Sequence, residues 1–116
     1  MSVQRLLRWV FWAAVVFTFV VATLPKPLHV PGEPSDKVQH ILGFMVLAIL
    51  GSAAYARVSA LKLVIALAVF GALIEMAQMI PALHRDAELL DWVADVTAVA
   101  VVLLAVRAWH YFVRKA

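Results

Sequence analysis

Residues 61–80 read LKLVIALAVFGALIEMAQMI, and Pro81 follows. Within this stretch only Lys62 and Glu75 are charged. A helix needs roughly 20 mainly apolar residues to cross the hydrocarbon of a bilayer, and a proline cannot continue a helix interior. The stretch therefore predicts a membrane-spanning helix that stops at Ile80. Lys62 sits at its edge, whereas Glu75 lies inside the run. The first apolar run of the chain is long enough to span once Arg5 and Arg8 snorkel to the interface.

The same reading extends in both directions. Trp9 to Leu24 is apolar and uncharged, and it runs into a segment with Pro25, Pro27, Pro31 and Pro34, which cannot be helical. Val38 to Ala56 is entered through Ser35 and Asp36, either of which can cap a helix start. Leu89 to Val113 follows the polar stretch from His84 to Glu88. The prediction is an all-α fold, a single polytopic membrane domain over residues 1–116, with a bundle of four transmembrane helices at about 6–24, 36–56, 61–80 and 89–113.

Composition agrees. Hydrophobic residues make up 66% of the 116 and charged residues 15%, against about 45–50% and about 25% in soluble domains. A chain this short cannot hide that much apolar surface in its own interior. With no cysteine, disulfides, thiolate nucleophiles and cysteine metal sites are excluded. The excess of ten Lys and Arg over seven Asp and Glu does not point to nucleic acid, because the bases sit at the ends of apolar runs.

Those bases set the expected orientation. With both termini in the cytoplasm, Arg5, Arg8, Arg57, Lys62, Arg107, Arg114 and Lys115 lie inside, and Lys26, Lys37 and Arg85 outside. Seven against three is a positive-inside bias. All the acids, Glu33, Asp36, Glu75, Asp86, Glu88, Asp91 and Asp95, then fall on the outer loops, 25–37 and 81–90, or in the outer halves of helices. A competing reading makes the N-terminus a cleaved signal, from Arg5, Arg8 and Val20-Val21-Ala22. The apolar run is long for a signal, and Pro25 follows closely.

The stretch Leu28-His29-x3-Glu33-x2-Asp36-x-Val38-x-His40 can be laid over Leu83-His84-x3-Glu88-x2-Asp91-x-Val93-x-Asp95 at a constant offset of 55, with five of thirteen positions identical. Two readings stand. The match is similar loop chemistry, or it marks two parallel helical hairpins related by an axis along the membrane normal.

The polar residues inside the runs are the candidate site. Asp36, Lys37 and His40 belong to one side of the second helix, Glu75 and Gln78 to one side of the third, and Asp91 and Asp95 to one side of the fourth. At about 1.5 Å per residue, His40, Glu75 and Asp95 lie roughly 6–9 Å below the outer helix ends. Intramembrane ionisable groups cost about 2.5–3.5 kcal/mol each even on lenient scales, so they are expected to converge with Arg85 and serve a task. Gly43, Ala68, Gly71, Ala72, Ala94 and Ala98 would let the helices close around them. A purely structural lock is the competing reading. The surplus of acids over bases in the set leaves room instead for a cation, a metal or a positively charged ligand.

Asp36-Lys37-x2-His40-x3-Phe44, Glu75-x2-Gln78 and Arg85-x5-Asp91-x2-Ala94-Asp95, in this order on successive apolar segments, resemble the VanZ-like family, named after a teicoplanin-resistance protein. The resemblance spans about residues 35–105. It departs at Asp95, where that family often has Asn, and at Ala98, where it often has Gly. It implies a bacterial inner-membrane protein of the cell envelope, associated with glycopeptide antibiotic resistance.

Three functions are weighed. The first is a binding or envelope-modulating protein whose outer polar site of Asp36, Lys37, His40, Glu75, Gln78, Arg85, Asp91 and Asp95 engages a lipid headgroup, a lipid-linked cell-wall precursor or an amphiphilic drug. The second is a membrane enzyme using acid–base or metal chemistry on a lipid-linked substrate, and the third a small transporter. No cofactor is expected, and no metal, because no tight ligand spacing is present. A one-sided polar layer favours the first two over a carrier with a midplane site.

Overall fold

The computed structural model describes residues 2–25, 36–83 and 88–115, with the side chains of Asp36 and Leu83 outside that set. The described residues form four long helices and one short 3-10 turn. Helix α1 is Val3–Thr23, α2 is Asp36–Ala54, α3 is Ala60–Gln78 and α4 is Leu89–Lys115, with the 3-10 turn at Pro81–Leu83. All four long helices are long and apolar enough to cross a membrane.

Local chemistry explains where they begin and end. The Ser2 hydroxyl accepts from the Arg5 amide at 3.1 Å, so α1 starts three residues before its expected boundary. The Ser59 hydroxyl does the same for α3, accepting from the Lys62 amide at 3.2 Å. A serine in this position answers one of the helix's unpaired N–H groups. Helix α2 ends at Ala54 rather than at 56, and side chains of α1 satisfy its last carbonyl: Arg8 Nε donates to Ala54 O at 3.1 Å and Gln4 Nε2 also reaches Ala54 O. Ser35, the other expected cap of α2, lies outside the described residues. Helix α4 has 27 residues, about 40 Å, enough to cross the hydrocarbon and hold Arg114 and Lys115 clear of it.

Successive helices run antiparallel. Gln4 and Arg8 near the start of α1 meet the end of α2, and Gln78 at the end of α3 meets Ala22 at the end of α1. The bundle therefore has a basic end, where α1 begins and α4 ends, and an acidic end, where α2 and α4 begin. Helix α2 is central. It packs on the other three and most extensively on α4, while α3 packs chiefly on α4 and α1 on α2. Helices α1 and α4 make no contact comparable to that between α2 and α3. Two hairpins related by a two-fold axis would make those contacts alike, so any such relation is imperfect. The sequence match that suggested it falls partly on residues outside the described set.

The interior is a narrow seam containing Phe11, Phe44, Leu47, Leu67, Val99 and Leu103. Outside it the helices are apolar again: Phe17 is 69% exposed, Val69 55% and Leu104 65%. Helices apolar all round, with little of their surface buried against each other, suit lipid as the solvent. Gly71 sets the closeness of α3. A Cβ there would lie 3.2 Å from Trp92 Cδ1 and 3.3 Å from Phe44 Cζ. Gly43, expected in the same contact, instead faces α1, where a Cβ would be 3.8 Å from Thr18 Cγ2.

Candidate functional site

At the acidic end the last turns of α3 stand beside the start of α4. The Glu75 carboxyl accepts a hydrogen bond from the backbone N–H of Glu88, the residue ahead of α4. The first N–H groups of a helix have no partner within it and carry partial positive charge, so a carboxylate is well placed there. The charges of Asp91 and Glu88 also act on Glu75. One turn along α4 from Asp91, Asp95 is 4% exposed and lies within electrostatic reach of both Glu75 and Asp91.

The base that answers this layer comes from α2. Lys37 Nζ is 3.2 Å from Asp91 Oδ1, with the lysine side chain 52% exposed and the aspartate 19%. The contact is an ion pair without hydrogen-bond alignment. The buried Oδ1 atom has no hydrogen-bond partner among the described residues.

Trp92 holds α4 against α3. Its Nε1 donates to the carbonyl of Ala68 at 2.9 Å, an approach that the missing side chain of Gly71 allows. Trp92, Ala72, Glu75, Met79 and Leu89 line a cavity of about 390 Å³. Met79 and Leu89 are 70% and 73% exposed, so the cavity opens on the outer surface of the bundle, toward the lipid. Among the described residues its walls are apolar except for the Glu75 carboxyl.

The expected constellation is thus partly assembled. Lys37, Glu75, Asp91 and Asp95 come together among α2, α3 and α4. His40 is half-buried and lines a separate hollow of about 220 Å³ between α1 and α2, with Phe17, Thr18 and Gly43. Gln78, 3% exposed, donates to the carbonyl of Ala22 on α1 at 2.9 Å. A spacing of three turns a residue about 60° around the helix axis. That is enough to aim Glu75 at α4 and Gln78 at α1. Asp36 begins α2, but its side chain lies outside the described set, as does Arg85. Among the described residues no three His, Asp or Glu side chains form a group able to hold a metal ion.

Trp92 is the residue that sequence reasoning missed. A signal was present: an indole next to Asp91, in the first turn of an apolar helix, needs a partner for its N–H. Met79 and Leu89, the exposed lips of the cavity, carry no signal that sets them apart from any other lipid-facing side chain.

No family model, curated protein or solved structure compared with the chain matches it. What the fold defines is a class, a four-helix protein with the form of a multi-pass membrane protein.

Proposed function

We propose that this is a VanZ-like protein of the bacterial inner membrane, with the start of α1 that carries Arg8 and the turn after α2 that carries Arg57 in the cytoplasm and the acidic end outside. Its task is to bind the headgroup of an amphiphile at the acidic end. The ligand class is a lipid headgroup, a lipid-linked cell-wall precursor or an amphiphilic antibiotic, carrying a cationic or hydrogen-bond-donating group. One observation carries the reading: the cavity lined by Ala72, Glu75, Met79, Leu89 and Trp92 opens sideways toward lipid and, among the described residues, presents one carboxyl, Glu75, on otherwise apolar walls. An apolar tail can enter from the bilayer while its head meets Glu75 and the acids behind it. Only Lys37, among the described residues, forms a salt bridge with these acids.

The test is direct. Purified protein in nanodiscs is titrated with cationic and neutral amphiphiles of equal chain length, and binding is followed by the quenching of Trp92 fluorescence against a Trp92→Phe control. A preference for the cationic headgroup supports the reading, and equal binding of both removes the role of the carboxyl. Reporter fusions at Arg57 and after Ala116 should both report cytoplasm; an extracytoplasmic signal would reverse the site's side.

A further inference from the structure

The opposite end of the bundle holds a second polar hollow. Gln4, Arg8, Tyr55, Ala56, Arg57 and Val58 line a cavity of about 390 Å³. A smaller hollow of about 210 Å³, lined by Arg5, Arg8, Trp9 and Trp12, shares Arg8 with it. Arg8 is held in place from two sides. Its Nε donates to Ala54 O at 3.1 Å, and its guanidinium lies 4.8 Å from the centre of the Tyr55 ring. That fixes the side chain but, among the described residues, engages one of its five N–H groups. The Tyr55 hydroxyl accepts from Trp12 Nε1 at 2.8 Å, which leaves its own proton to donate. No carboxylate is near in sequence: every Asp and Glu lies in residues 33–36, 75 or 86–95, and Glu75, Asp91 and Asp95 stand at the other end of the bundle.

We infer that the cavity between Arg8 and Arg57 binds the phosphate of an anionic phospholipid. The two guanidinia and the Tyr55 hydroxyl supply donors matched to phosphate oxygens. Trp9 and Trp12, 66% and 52% exposed on the adjoining face, offer the glycerol and upper acyl chain the amphipathic surface that indoles provide at an interface. A soluble phosphate would use the guanidinia alone. The neighbouring indoles favour a lipid as the source. Basic pockets between membrane helices bind lipid phosphates in this way.

The experiment uses the full chain in nanodiscs of phosphatidylcholine, alone or mixed with phosphatidylglycerol, with the retained lipids counted by native mass spectrometry. Phosphatidylglycerol should be retained preferentially. Arg57→Gln, whose side chain makes no described hydrogen bond, should lower that preference about fivefold, and Arg57→Lys should restore most of it. Arg114→Gln with Lys115→Gln, which removes charge from the same end away from the cavity, should change it little. The inference is overturned if wild type retains both lipids equally. It is overturned too if the Arg114 and Lys115 changes weaken retention as much as Arg57→Gln, since that would mean diffuse surface charge. Displacement of phosphatidylglycerol by inorganic phosphate would reassign the cavity to a free anion and end the lipid reading. Arg8→Gln is the poorer probe, because it also removes a donor to the end of α2.

Discussion

The amide nitrogen of Gln78 donates to the carbonyl oxygen of Ala22 at 2.9 Å, and both residues are 3% exposed. Ala22 is in the last turn of α1, where carbonyls have no partner within the helix. Gln78 supplies that partner from α3 in a place closed to water. Gln78→Leu, close in volume, should leave the carbonyl orphaned and lower stability by about 1–3 kcal/mol. The measurement is the melting temperature in a mild detergent. A Gln78→Leu protein as stable as wild type would mean that the carbonyl finds another partner.

Gly71 and Gly43 should respond oppositely to the same added methyl. At Gly71 the new Cβ would press on two rings, 3.2 Å from Trp92 and 3.3 Å from Phe44. Gly71→Ala should therefore lose about 1–3 kcal/mol as an overpacked substitution and should shift Trp92 emission, because the indole must move. At Gly43 the nearest atom would be 3.8 Å away, an ordinary contact, and alanine has the better helix propensity. Gly43→Ala should be neutral or slightly stabilising. The reverse order would mean that α2 and α3 pack through different faces.

The helices were legible because lipid removes ambiguity. With no water to satisfy the backbone, each long apolar run between polar breaks has to be a helix, and the expected boundaries fall within three residues of those observed for α1 to α4. The ends were less legible. The partners of the last carbonyl of α2, Arg8 and Gln4, are near in space and 46 and 50 residues away in sequence. Helical spacing grouped the acids of α4 correctly, but it could not say which neighbour each face would meet. His40 and Gly43 face α1, and the sequence pattern alone does not separate that face from the one toward α4. Arg107 shows the same limit. Read only as a topology signal, it donates to Ser52 Oγ at 2.8 Å and to Tyr55 O at 3.3 Å, tying α4 to the end of α2.

The Lys37–Asp91 pair should be worth little by itself. Lys37 is 52% exposed and its nitrogen is not aligned for a hydrogen bond with Oδ1. A double-mutant cycle with Lys37→Gln and Asp91→Asn should give a coupling of about 0.2–1 kcal/mol, typical of exposed pairs. Salt should weaken it. A coupling well above that range would require that the lysine be desolvated by lipid or by the acids around it.

Glu75 separates a helix cap from a binding group. Its carboxyl accepts from the Glu88 amide at the start of α4. A glutamine carbonyl can accept the same bond, and an alanine cannot. Glu75→Gln should therefore melt near the wild-type temperature, while Glu75→Ala should lose about 1 kcal/mol, the usual effect of deleting a cap. Binding should follow a different order. If the carboxylate meets a cationic or donor headgroup in the cavity with Trp92, Glu75→Gln should lose amphiphile binding while remaining folded, and Glu75→Asp should keep part of it. Stability and binding measured on the same three proteins distinguish the two roles. A Glu75→Gln protein that is equally stable and binds the cationic amphiphile as tightly as wild type would reduce Glu75 to the cap of α4. The layer with Asp91 and Asp95 would then be a fastening between helices and not a ligand site.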